Sequence, residues 1–131
     1  MLTTEVGSVV GRRFVEALAA RDWDALRGCL EEDVRFRAVV PNESDPFRDW
    51  TGPDETLAQF RRWFDDSDVL ELQADAIESI ADRTHVAYRF HGHEPDGWYV
   101  IEQQIYFEMG RRGIARMDLV CSGFREVPPP A

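Results

Sequence analysis

The 131 residues carry 25 acidic against 15 basic side chains, a formal net charge of -10. That balance argues against binding nucleic acid or an anionic membrane surface, since phosphates need clustered cations and the arginines here are scattered. The length suits one domain that buries roughly two-thirds of its unfolded surface, and eight Phe, four Trp and three Tyr supply an ample core.

Cys29 and Cys121 stand alone, in no CxxC or Cys/His spacing, and read as free core thiols. The start of the chain lacks a basic segment followed by an unbroken apolar run. No apolar stretch approaches the roughly 18 residues of a membrane span. A soluble cytoplasmic protein is expected, without a cofactor or a resident metal.

After a lead-in from Thr3 to Gly7, the stretch Ser8 to Asp22 places Val10, Phe14, Ala17 and Leu18 on one helical stripe. Asp22 can cap a short second helix from Asp24 to Leu30, with Trp23, Leu26 and Leu30 packing it on the first. Val34 to Val40 alternates as a strand, with Val34, Phe36, Ala38 and Val40 on one side, and Pro41 ends it. Pro41 to Gly52 (PNESDPFRDWTG) reads as a loop whose Phe47 and Trp50 either close as a lid or anchor it to the core.

Pro53 opens a third helix, with Asp54 and Glu55 in its first turn. Leu57, Phe60, Arg61 and Phe64 share its face and Trp63 flanks them. The acidic run Asp65 to Asp68 sits badly at a helix C-terminus, so fraying is expected there.

Four strands follow. Val69 to Ile80 is the first and Thr84 to His93 the second, with Val86, Tyr88 and Phe90 opposite in parity to His85, His91 and His93. Glu94 to Gly97 is a hairpin turn. In Trp98 to Met109, the residues Tyr99, Ile101, Gln103, Ile105 and Phe107 form an apolar face interrupted by one amide, which needs a partner or a ligand. Ile114 to Phe124 puts Ala115, Met117, Leu119 and Cys121 on one face and Arg116, Asp118 and Val120 on the other. The ordered core spans about 8–124 of a single domain over 1–131, and 125–131 is a proline-rich, extended tail. Three amphipathic helices and five strands with one apolar face make a two-layer α+β fold, the helices covering a curled sheet.

That order, carried by FVEALAARDWDALRGCLEEDVRF, WTGPDETLAQFRRWF and GIARMDLVCSGF, resembles the nuclear transport factor 2-like superfamily, and most of all its SnoaL-like and steroid delta-isomerase-like branch. The resemblance covers about Ser8 to Phe124. It implies a cone-shaped fold, with three helices in the N-terminal half packed on a curved, mostly antiparallel sheet around an interior pocket. It also implies a homodimer formed through the outer sheet face. Activity does not follow, because the superfamily holds isomerases, cyclases, epoxide hydrolases, dehydratases and non-enzymes.

Steroid isomerases of this fold use a tyrosine, an aspartate base and a protonated aspartic acid, and the matching positions here are Phe14, Ala38 and Gln103. The hydroxyl and the base are gone, which argues against proton abstraction next to a carbonyl. The Arg-x-Asp pair of the epoxide hydrolases corresponds to Arg116 and Asp118, which alternation turns to the outer face as a surface or dimer-face salt bridge. The Asp and His of the SnoaL-like cyclases have no inward counterpart, since all three histidines point out.

The expected pocket lining is Phe14, Phe36, Ala38, Trp50, Phe60, Phe64, Tyr88, Phe90, Tyr99, Ile101, Gln103, Met117, Leu119 and Cys121, an aromatic site with few polar handles. The same residues equally describe a filled core in which Tyr88 and Gln103 bond each other. The expected ligand is a small hydrophobic molecule, polyketide- or steroid-like. For an enzyme of isomerase, cyclase or hydrolase type the candidate catalytic groups are Tyr88 and Gln103, with a loop acid such as Glu43, Asp45 or Asp49; the rival reading is a non-catalytic binding or dimerisation module. His91 and His93 with Glu94 and Glu102 form the one cluster with metal-ligand character, outweighed by a solvated or interface patch. Arg89, His91, Trp98, Glu102, Tyr106, Arg116 and Val120 make the expected dimer face.

Overall fold

Alternation in the long segments after Val69 sets the sheet, and the helices follow from what that sheet must cover. The computed structural model describes residues 2–41 and 44–131, with side chains from residue 6 onward. The elements are α1 (Leu2–Ala20), α2 (Trp23–Arg27), β1 (Leu30–Val39), β2 (Phe47–Thr51), α3 (Gly52–Phe64), β3 (Val69–Ile80), β4 (Arg83–Glu94), β5 (Gly97–Met109), β6 (Ile114–Cys121) and β7 (Arg125–Glu126). The sheet runs β2-β1-β6-β5-β4-β3, with β7 on β5. All pairings are antiparallel except β1 with β6. The fold is α+β, an open curved sheet of seven strands with three helices, consistent with the nuclear transport factor 2-like cone.

Several sequence expectations are corrected: the sheet has seven strands rather than five, α1 begins at Leu2 rather than Ser8, and Arg125–Glu126 of the expected tail pairs with β5. Pro41 to Gly52 is not all loop, because Phe47–Thr51 pairs with β1 as an edge strand, Phe36 opposite Trp50 and Val39 opposite Phe47. Alternation then separates its two large residues: Trp50 stacks on Phe36 at 4.8 Å, while Phe47 remains 70% exposed. Trp50 is therefore the anchor, and Phe47 is not. Leu30 belongs to a strand rather than a helix. Asp22 does cap α2, its carboxylate accepting from the Ala25 amide at 3.1 Å, but the chain turns at Gly28 and Leu30 pairs with Ile114.

A further correction concerns the acidic run after α3, which is tied down rather than frayed. Arg21 donates to the carbonyls of Phe64 and Ser67, placing a cation where the helix leaves orphan acceptors. Arg61 pairs with Asp65 one turn on, at 3.1 Å.

The inner sheet face and the helices bury Phe14, Phe36, Phe60, Phe64, Phe90 and Phe107 to within 1% of full burial. The outer face is organised by register. One row crosses six strands as Asp49, Arg37, Asp118, Tyr106, His85 and Glu78. Asp118 accepts from Arg37 at 2.8 Å and from Arg83 at 2.6 Å, while Arg116 pairs with Glu108 at 3.7 Å. The expected Arg116–Asp118 bridge is thus absent among the described residues, because both partners find cross-strand neighbours. His85 faces outward as its parity requires, yet it is only 8% exposed. It stacks on Tyr106 at 4.6 Å, with Glu78 and Gln104 oxygens 2.8 and 2.9 Å from its ring nitrogens.

Candidate functional site at the mouth of the cone

Gly123 adopts φ +83°, a left-handed turn that a side chain resists. It ends β6 and swings the chain so that β7 pairs Arg125 with Val100 and Glu126 with Tyr99. The residue delivered by that turn, Phe124, lies edge-on to Tyr99 at 4.9 Å and 6.2 Å from the Phe64 ring. There it closes one side of a cleft of about 230 Å³ lined by Val40, Arg48, Trp50, Gln59, Arg62, Trp63, Glu94 and Phe124. Each wall has a separate origin: the end of β1, the edge strand β2, the last turns of α3, the last residue of β4 and the post-β6 turn.

Trp50 and Trp63 meet edge to face at 6.4 Å; both lean on the deeper ring Phe36, and Trp63 also on Phe60. Arg48 also donates to the Asp45 carbonyl at 3.1 Å. Burial chiefly, then the charges of Asp96 and Asp66, push the Glu94 carboxyl above its ordinary range, against a small opposing effect of His93. Glu94 was expected beside His91 and His93, but alternation sends it to the opposite face. The two imidazoles are engaged elsewhere: His91 stacks on Trp98 at 4.9 Å, and His93 lies 2.7 Å from Asp68. Among the described residues no group of three or more His, Cys, Asp or Glu is placed to hold a metal ion.

Below the mouth, the residues expected to line a pocket contact one another. Phe36 stacks on Phe60 at 5.2 Å, Phe14 meets Phe60 edge-on at 5.6 Å, Phe64 meets Phe90 at 5.4 Å, and Tyr88 meets Phe90 at 5.2 Å. Met117, Leu119 and Ala38 are buried around them. The Tyr88 hydroxyl donates to Gln103 Oε1 at 2.5 Å. Gln103 Nε2 donates to Cys121 Sγ, which also receives the Gly123 amide, both at 3.4 Å. The Tyr99 hydroxyl shares a 2.6 Å bond with Ser67.

The loop acids do not join this group. Asp49 is on the outer face opposite Arg37, and Asp45 accepts from the Phe47 amide in the turn before β2. Glu43 lies outside the described residues. Of the expected lining, only Trp50 borders the cleft. Arg48, Gln59, Arg62, Trp63, Glu94 and Phe124 were not singled out for it; the signal available was the pair of tryptophans, Trp50 and Trp63, flanking one helix.

Burial raises the Tyr88 phenol well above its ordinary value of 10.0, and burial is also the largest cause of the upward shift of Tyr99. An unfolded chain ionises these groups near pH 10 whereas the folded chain resists, so above about pH 10 the unfolded state binds fewer protons. The stability these two phenols contribute is therefore full below about pH 10 and falls as pH rises toward the folded values. The urea midpoint is expected to drop above about pH 10, with a shallower drop in Tyr88→Phe. An equally steep drop in the variant would contradict that origin.

The comparisons agree with this architecture. The model of the SnoaL-like domain matches residues 11–118, most of the chain, and the protein belongs to the SnoaL-like domain family. No curated protein is similar enough in sequence to be called a relative. A Xanthomonas campestris pv. campestris protein provisionally named a polyketide cyclase is 19% identical, with TM-score 0.72 over 90% of this chain and 91% of that one. A Bacillus subtilis protein provisionally named an isomerase is 15% identical, with TM-score 0.75 over 90% and 87%. An M. tuberculosis LEH-like epoxide hydrolase is 16% identical, with TM-score 0.67 over 91% and 84%. At such identities the likeness establishes the fold and leaves activity unassigned. No described helix is long and apolar enough to cross a membrane.

Proposed function

We propose that this SnoaL-like domain binds a small hydrophobic molecule, of the polyketide- or steroid-like kind, that enters at the mouth of the cone. The observation that carries this reading is the composition of the cleft. Trp50, Trp63 and Phe124 supply aromatic walls and Arg48, Gln59, Arg62 and Glu94 supply polar groups, so the cleft can hold a ring and orient its polar substituents. The deeper polar groups, Tyr88 and Gln103, already satisfy each other. Structural neighbours named for polyketide cyclase and epoxide hydrolase support a small organic ligand.

The binding unit in this reading is a homodimer through the outer sheet face. Beside the charged row runs a second row, Phe47, Val39, Val120, Gln104, Ala87 and Ala76. Three of its members, Phe47, Val39 and Val120, are exposed at 70%, 40% and 49%. An apolar belt between rows carrying both signs of charge suits a self-complementary contact.

Native mass spectrometry of the purified protein reads both points. The expected spectrum is a dimer that releases a small molecule on activation, with Val120→Asp shifting the population to monomer. A bare chain that also fails to bind any aromatic probe would count against the ligand reading. A wild-type monomer would count against the dimer.

A further inference from the structure

The cleft is bipolar. Its two guanidiniums, Arg48 and Arg62, come from β2 and α3, whereas its one carboxyl, Glu94, sits at the end of β4 with Asp96 just beyond on the hairpin. The rings of Trp50, Trp63 and Phe124 line the same cleft. Arg61 is spoken for by Asp65, but its neighbour Arg62 enters none of the ion pairs formed among the described residues. A guanidinium that lines one cleft with two tryptophans and a phenylalanine can meet a planar anion through its fork of donors.

Size narrows the ligand further. About 230 Å³ falls below the roughly 300–1,000 Å³ of pockets that enclose drug-sized molecules. One or two fused rings with a short substituent fill it, and a four-ring skeleton would protrude.

We infer that the part of the ligand held in the mouth is a small aromatic carboxylate, its ring against Trp50, Trp63 and Phe124 and its carboxylate toward Arg62 and Arg48. This rests on the reading of the mouth as the ligand site and adds the charge and size of what it takes. Glu94 borders the cleft from β4, an element other than those bearing the arginines.

The test is calorimetric titration of the full chain with three probes sharing one ring system: 2-naphthoate, methyl 2-naphthoate and (2-naphthylmethyl)trimethylammonium. The acid is expected to bind at least about ten-fold more tightly than the ester, about 1.4 kcal/mol, and the ammonium more weakly than either. Arg62→Gln, at an exposed position, is expected to keep the ester affinity and erase the advantage of the acid. The urea midpoint of the variant confirms that it is folded. Equal or tighter binding of the ester or the ammonium by the wild type would overturn the anionic assignment and leave the hydrophobic mouth standing. An acid preference that survives in Arg62→Gln would overturn the role of Arg62. Absence of heat with all three probes would overturn both this inference and the reading beneath it.

Discussion

Phe60→Ala is expected to cost about 3–5 kcal/mol of folding stability, the range for emptying a buried aromatic site. The ring is fully buried and stands at the junction of the aromatic stack. It lies parallel to Phe36 at 5.2 Å and edge-on to Phe14 at 5.6 Å and to Trp63 at 5.3 Å. Three large neighbours cannot all collapse into the space of one ring, since each is fixed to a different element, β1, α1 and α3. Most of the cavity term should therefore be felt. Against a typical total of about 5–15 kcal/mol, the variant would be left near the edge of folding. The measurement is a urea titration, read as a lowered midpoint at unchanged slope. A cost below about 1 kcal/mol would mean that the ring stands in open space, and the interior would then be a cavity rather than a core. The consequence reaches function as well, because Trp63 rests on Phe60 and forms part of the mouth.

The physical reason the sheet was legible in the sequence is visible in β4 and β5. Their alternation holds over most of their length, broken where Thr84 to Val86 and Tyr99 to Ile101 are buried in succession, and the observed register pairs Tyr88 with Gln103 and Phe90 with Ile101 on one face, as period two requires. β2 was hidden for the opposite reason. Five residues flanked by Pro, Asp and Gly, with Arg48 and Asp49 inside, carry too little periodicity to outweigh turn composition. The mouth was harder still. Phe124 reaches it only because Gly123 reverses the chain, and Glu94 only because β4 runs one residue beyond His93. Neither event leaves a pattern in the neighbouring letters. His85 shows a further limit: parity places it on the outer face, but its burial depends on Tyr106, Glu78 and Gln104 from two neighbouring strands.

The deep polar pair decides whether the interior does chemistry or only holds the fold. Tyr88 and Gln103 are 3% and 1% exposed and joined at 2.5 Å, so Tyr88→Phe strips the Gln103 carbonyl of its donor. Leaving a buried acceptor unpaired is expected to cost about 1–3 kcal/mol. Gln103→Leu should cost a similar amount by orphaning the Tyr88 hydroxyl. The double variant should be less destabilised than the two single costs summed, with a coupling of about 0.5–3 kcal/mol, because no unpaired group remains from the pair. Binding of 2-naphthoate at the mouth should change little in Tyr88→Phe, since the bonds run from Tyr88 through Gln103 to Cys121 and the Gly123 backbone and touch no wall of the cleft. If Tyr88→Phe instead left stability intact and abolished ligand binding, the pair would be a handle for the ligand and the site would extend into the cone. Additive losses would mean that the two side chains do not depend on each other. The expected non-additivity, with binding retained, leaves Tyr88 and Gln103 as the polar pin of a filled core and leaves the chemistry of recognition to the rim.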